Sequence, residues 1–243
     1  MVDVPGDELF REPEIVEFPG LGLFEGYPNR DSTPYVGMYD IPEAETLFRG
    51  TLRNEKHCAS WYPWVKLGLF RKDARSDLDG LTFCGFMRSV LETTEDPKAA
   101  LSTKLGLSED APAIANLEWL GLFVEEPIPL DQGSNADILA TRMVEKCGYE
   151  EGERDMIVMQ HEFLIRYDDH DENVYSTLVE YGIPGGDSAM ARTVGIPLAI
   201  ATRMVLNGTI DERGVVTPVK PEIYNPILDE LEGLGISFDD RVD

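Results

Sequence analysis

Residues 156–182 read MIVMQHEFLIRYDDHDENVYSTLVEYG, two runs rich in Val, Ile, Tyr, Phe and Leu on either side of the polar segment DDHDEN. Such runs favour a pleated, half-buried surface, and the acidic break between them is turn chemistry, so the stretch predicts a β-hairpin with a solvated tip. This return to strand decides the fold class, because what precedes it is helical. Between about 60 and 148, LTFCGFMRSVL places Phe83, Phe86, Met87, Val90 and Leu91 on one helix face, and ADILATRMV does the same for Ile138, Leu139 and Met143. Residues 14–53, with EIVEF, PGLGLFEGYPN and ETLFRGTL, read as short strands joined by turns. After the hairpin, Asp187 or Ser188 is placed to cap a helix with Met190, Val194, Ile200 and Met204 inward, ending near Asn207-Gly208. A last helix from Pro221 turns Ile223, Ile227, Leu228 and Leu231 inward and stops near Gly235. Strands, helices, strands, helices: the order predicts an α+β protein.

Three segments share an ending: KLGLF at 66–70, WLGLF at 119–123 and GLGIS at 233–237. A left-handed glycine just past a helix, followed by an apolar residue that folds back on the last turn, terminates helices this way, so the recurrence reads as three stops rather than duplicated domains. GLGLFEG at 20–26 has the wrong glycine spacing for a dinucleotide loop and no βαβ unit around it.

The chain of 243 residues is 42% apolar, enough for a core, with a net charge of −25. That charge repels phosphate backbones and argues against nucleic acid as a partner. No apolar run approaches the roughly 20 residues that span a bilayer, and the N-terminus lacks a secretory pattern, so a soluble, intracellular protein without a membrane partner is expected. Cys58, Cys84 and Cys147 are odd in number and widely spaced, which argues against a disulfide framework and reads as buried or half-buried thiols. No pair of histidines has metal-ligand spacing, and no metal site is expected. Against the acidic background, residues 46–75 hold Arg49, Arg53, Lys56, Lys66, Arg71, Lys72 and Arg75 but only Glu55 and Asp73. This basic stretch is either a solvated face or a pocket for carboxylates.

Asn29, Arg30, Asp31 and Ser32 form a polar turn, and the alternation in Arg49-Gly50-Thr51-Leu52-Arg53 places Arg49, Thr51 and Arg53 on one strand face. Gly50 leaves room there for another backbone or a ligand. If Arg30 and Arg53 converge, each can hold a carboxylate through two parallel N–H donors, with the Thr51 hydroxyl completing the set. Nothing beside them supplies a nucleophile or a Ser-His-Asp arrangement, so no catalytic residue is assigned.

At these residues the chain resembles the saccharopine dehydrogenase (L-glutamate-forming) family, also called saccharopine reductase, and the corresponding half of bifunctional aminoadipic semialdehyde synthase. The motifs EGYPNRDST, IPEAETLFRGTLR, VKLGLF, WLGLF, ERDMIVMQHEF, AMARTVGIPLAIATRMVLNGTI and PEIYNPILDEL run in order through nearly all of it. The resemblance implies an oxidoreductase of lysine metabolism that interconverts saccharopine with glutamate plus aminoadipate semialdehyde using NADP or NAD. It places substrate contacts on Arg30, Thr51, Leu52 and Arg53, with Asn29, Asp31 and Gly50 as neighbours. Family members begin with a Rossmann domain, whereas this chain looks like the C-terminal half. A Rossmann half is therefore an expected partner, no cofactor site is expected here, and the chain alone is expected to be inactive. The implied architecture is a mixed-sheet substrate domain, residues 1–53 and 149–187, interrupted by a helical domain, 54–148, and followed by C-terminal helices, 188–243. A homodimer is expected, in the cytoplasm, or in mitochondria for a bifunctional lysine-degrading enzyme. The rival reading is a noncatalytic module that binds acidic amino acids or mediates oligomerisation. The chain departs from the family after Arg53, where Asn54 stands in place of tyrosine.

Overall fold

A computed structural model describes residues 2–243, which form two compact units, one ending at Gly148 and the other running from Tyr149 to Asp243. The first unit opens with strands β1 (Glu14–Phe18) and β2 (Gly22–Pro28), a short helix α1 (Pro34–Met38) and strand β3 (Gly50–Asn54). They pair antiparallel in the order β1-β2-β3. GLGLFEG runs from the turn of the β1–β2 hairpin into β2: the Leu21 amide donates to the Phe18 carbonyl at 3.0 Å, and Gly20 and Gly22 take φ of 80° and 95°. Those left-handed positions favour glycine.

Five helices follow: α2 (His57–Lys66), α3 (Phe83–Leu91), α4 (Pro97–Leu105), α5 (Pro112–Trp119) and α6 (Asn135–Lys146). Their apolar faces meet in one core around Trp64, Leu69, Phe86, Met87, Ile114 and Leu117. The expected stripe of α3 is present, with Phe83, Phe86, Met87 and Leu91 buried and Val90 packed at the edge. Ile138 and Leu139 of α6 are buried, with Met143 partly so. Cys58 and Cys84 meet the expectation of burial, and the exposed Cys147 does not. Helices α2 and α5 end as the LGL pattern predicts. Gly68 and Gly121 have φ of 76° and 81°, and the next amides, Leu69 and Leu122, donate back to Trp64 and Leu117 at 3.0 and 2.9 Å. Both leucines are fully buried, so each stop also adds a core residue.

The second unit is built on the predicted hairpin, β4 (Met156–Arg166) and β5 (Asp171–Tyr181), in continuous register from Met156↔Tyr181 to Arg166↔Asp171. A strand that the sequence did not signal, β6 (Asp239–Val242), extends this sheet beside β5. The α+β class stands, but both sheets are antiparallel rather than mixed. The tight hairpins β1–β2 and β4–β5 can only pair antiparallel, and β3 and β6, which arrive after helices, run antiparallel to β2 and β5 as well.

Helices α7 (Ala189–Leu206) and α8 (Pro221–Gly233) pack on one another around Ile200, Met204, Ile223, Ile227 and Leu231. Ser188 caps α7 through Ala191, and the Asp155 carboxylate accepts from the amides of Ala189 and Met190 at 2.7 and 3.0 Å. Gly235 ends α8 in the third predicted stop, with φ 82° and Ile236 donating to Leu231. Two assignments change. Met190 and Val194 are 56% and 61% exposed, and Leu228 of α8 is also exposed. At 3.6 residues per turn, Met190 and Val194 lie about 80° and 120° around α7 from Ile200. With Leu198 and Val205 they form a second apolar stripe on the exposed side. By length and hydropathy α7 is apolar enough to cross a membrane. In this fold it packs on α8, and its two arginines are ion-paired, Arg192 with Glu180 and Arg203 with Glu230.

Candidate functional site

The end of β3, the first turn of α2 and the start of α5 border an open cleft of about 440 Å³ lined by Arg53 to His57, Ser60, Trp61, Pro112 and Asn116. Its geometry begins with Glu25. This residue alternates with Phe24 and Gly26 on β2, stands opposite Arg53 in register, and is 7% exposed. Its carboxylate accepts from the amides of Lys56, at 2.8 Å, and Cys58, at 2.6 Å. Lys56 is the N-cap of α2 and has φ 72° with no side-chain cap of its own. Glu25 thus caps α2 from another element, placing an acceptor and a negative charge where the helix presents unpaired donors. The turn it holds carries Arg53 and Lys56 to the cleft.

The opposite wall is tied down by Asn116, whose Nδ2 donates to Ser60 Oγ at 2.8 Å, while that hydroxyl donates to the Lys56 carbonyl at 3.1 Å. His57 lies between the rings of Tyr27 and Trp61, at 6.0 and 4.6 Å between centroids. Its Nε2 is buried and has no hydrogen-bond partner among the described residues. Burial first, and then the Arg53 guanidinium, push His57 down to about 4, with Glu25 opposing. The ring is therefore neutral at pH 7. Burial, together with Glu25, raises the Cys58 thiol to about 12, so it is not a nucleophile.

The His57 shift makes a stability prediction. A histidine whose folded value lies below its unfolded one of 6.5 takes up a proton on unfolding between those values, so its contribution is complete above pH 6.5 and is lost as pH falls toward 4. Urea midpoints at pH 7 and pH 4.5 should show a smaller acid loss for His57→Phe than for the parent. Equal losses would mean that the imidazole is free to charge in the fold.

The structure divides the residues singled out in the sequence. Asn29 and Thr51 meet, with Nδ2 donating to Oγ1 at 2.8 Å, and the Asn29 amide donates to the Arg49 carbonyl. Asp31 makes no pair with Arg30. It accepts from the Thr33 amide and hydroxyl at 2.9 and 2.7 Å, and these bonds hold its carboxyl below the usual range. Arg30 is exposed in the turn after β2 with φ 62°, and it does not line the cleft that Arg53 lines. The space beside Gly50 is filled: a Cβ there would lie 2.8 Å from the Phe48 ring and 3.0 Å from the Tyr27 carbonyl. Leu52 packs over Gly26, and its carbonyl accepts from Arg53 Nη1 at 3.0 Å.

The basic stretch is not one pocket. Lys66 pairs with Asp7 and Glu8, Arg71 with Asp73, Arg75 with Asp77, and Arg49 donates to the Tyr35 hydroxyl. Among the described residues, Arg53, Lys56 and Lys72 have no ion-pair partner, and of these Arg53 and Lys56 line the cleft. Sequence reasoning passed over Glu25, His57, Ser60, Trp61 and Asn116. The one available signal was a carboxylate inside the apolar run LFEGY.

A profile of the saccharopine dehydrogenase C-terminal domain matches residues 1–236. The chain is 42% identical over 231 residues to the mitochondrial alpha-aminoadipic semialdehyde synthase of Bos taurus, covering 91% of this chain and 24% of that protein. It is 39% identical over 224 residues to a saccharopine dehydrogenase (NADP(+), L-glutamate-forming) of Saccharomyces cerevisiae, covering 88% of this chain and 50% of that one. The solved apo structure of the L-Glu-forming saccharopine dehydrogenase from Saccharomyces cerevisiae superposes with a TM-score of 0.84 at 36% identity, over 97% of this chain and 55% of that chain. The chain thus spans between about a quarter and about half the length of these relatives.

Proposed function

Because the chain belongs to the saccharopine dehydrogenase family, we propose that it is the substrate-gripping portion of an oxidoreductase of lysine metabolism that interconverts saccharopine with glutamate and aminoadipate semialdehyde. The observation that carries this reading is that Arg53 and Lys56, neither of them in an ion pair among the described residues, share a cleft in a chain of charge −25. Holding such charges in place favours an anionic ligand. Arg30, Thr51, Leu52 and Arg53 contact the substrate in this reading, with Asn29 and Asp31 shaping the turn and Gly50 fitting β3 against Tyr27.

Hydride transfer requires a nicotinamide fixed against the imine carbon. In this reading NADP or NAD is held by an N-terminal half of the kind the relatives carry, whether fused to these residues or separate. The exposed stripe of Met190, Val194, Leu198 and Val205 on α7 is an apolar surface such a half would cover. The assembled enzyme is a homodimer, cytoplasmic when free-standing and mitochondrial when part of a bifunctional protein.

Co-expression with the N-terminal half of the yeast relative tests the reading. Saccharopine-dependent reduction of NADP is expected from the pair and not from the chain alone, and Arg53→Ala should lower kcat/KM about tenfold, as for a charged contact near a rim. Turnover by the isolated chain would refute the division of labour. Saccharopine binding without turnover in any pairing would favour the noncatalytic module.

A further inference from the structure

We propose that the cleft beside Arg53 is a subsite for the α-amino-acid head of the ligand, with Lys56 and Arg53 receiving its carboxylate and Glu55 its ammonium, while Arg30 serves a different carboxylate. The inference rests on the substrate reading above and adds Glu55 and Lys56 to the residues that recognise it.

The first argument is charge. In the same unit Lys66, Arg71, Arg75, Arg88, Lys98 and Arg142 are each paired with an acid, whereas Arg30, Arg49, Arg53, Lys56, Lys72, Lys104 and Lys146 are in no ion pair among the described residues, and of these only Arg53 and Lys56 line the cleft. Acids outnumber bases 46 to 21 in the chain, so two neighbouring unpaired cations are not a shortage of partners. Glu55 lines the same cleft, and the imidazole of His57 is neutral there. Two positive groups and one negative group facing a common space complement a zwitterionic head better than a simple dicarboxylate. An ammonium left without an acceptor, or a carboxylate without a donor, would lose its hydration uncompensated.

The second argument is spacing. Arg53 is opposite Glu25, and Arg30 lies five residues beyond Glu25 along the same segment. β2 ends at Pro28 and Arg30 follows it in a left-handed turn, so at roughly 3.3 Å per residue only about 10 Å of strand lies between Glu25 and that turn. Arg53 lines the cleft and Arg30 does not, which suits an elongated adduct with a carboxylate near each arginine better than one carboxylate held by both in the cleft. Glu25 below and the Asn116–Ser60 bond opposite preset the turn, so the charges need little ordering on binding.

Trp61 lines the cleft and reports on it. The full chain is titrated with L-2-aminoadipate, glutarate and L-saccharopine while the indole N–H resonance of Trp61 and the heat of binding are followed. Aminoadipate should move that resonance. Lys56→Met should weaken aminoadipate at least fivefold. Glu55→Gln should weaken aminoadipate at least fivefold but leave glutarate within twofold, because glutarate has no ammonium. Arg30→Met should weaken saccharopine and leave aminoadipate unchanged. Far-UV circular dichroism confirms that each variant folds. If saccharopine binds and the Lys56 and Glu55 variants match the parent, the subsite is wrong and the substrate reading survives. If aminoadipate seats at Trp61 but saccharopine does not bind, the subsite stands and the substrate reading fails. Silence from all three ligands overturns both.

Discussion

Replacing Trp64 with alanine is expected to lower the stability of the unit that ends at Gly148 by about 4 kcal/mol, the scale for deleting a large buried aromatic from a core. Trp64 is 2% exposed, and its indole Nε1 donates to the Ala113 carbonyl at 2.7 Å, so one side chain both fills the core and fastens α2 to α5. Those helices are two walls of the cleft, tied elsewhere by the Asn116–Ser60 bond. Loss of the indole therefore removes packing and takes the second donor from the Ala113 carbonyl in the first turn of α5, which keeps only its bond within the helix. Trp64→Phe separates the two contributions, because it keeps most of the ring but none of the bond, and should cost about 1–2 kcal/mol. Urea unfolding followed by far-UV circular dichroism measures both, and the Trp61 resonance should shift in the alanine variant as the walls part. Equal costs for the two variants would show that the bond to Ala113, and not the filled volume, holds the helices together.

Much of this architecture is legible along the chain because its signals are local. A left-handed glycine followed by leucine is a complete instruction for ending a helix, and Gly68, Gly121 and Gly235 all end one. The β4–β5 hairpin likewise carries its own turn. What escapes the sequence depends on partners distant in it. Helix α7 has two apolar stripes, and periodicity cannot say which one meets α8; Ile200 and Met204 do, whereas Met190 and Val194 do not. Strand β6, with the sequence DDRV, has no apolar pattern and becomes a strand because β5 offers it an edge. The site divides the same way. Alternation put Thr51 and Arg53 on one face of β3, but it could not show that Arg49 would turn to Tyr35 or that Lys56 and His57 would join Arg53 in a cleft.

Glu25 is the sharpest case of such distant dependence, and its removal is the other large expected effect. Glu25→Ala deletes two hydrogen bonds from a carboxylate to buried or half-buried amides, and at about 1.5–3 kcal/mol for a bond to a charged group the loss should be near 3 kcal/mol after partial rescue by water. Glu25→Gln keeps a carbonyl oxygen for one amide but gives up the second acceptor and the charge facing the start of α2. It should cost about 1–2 kcal/mol. The consequence for binding follows from the same bonds. Without them the left-handed turn at Lys56, strained for any residue but glycine, is free to relax, and Arg53 and Lys56 lose their fixed directions. Affinity for aminoadipate should then fall about tenfold in the alanine variant and less in the glutamine one, measured below the unfolding transition so that folding and binding are read separately. A destabilised Glu25→Ala protein that binds with parental affinity would show that the turn keeps its shape without the carboxylate. The charges at the cleft would then owe their placement to β3 alone.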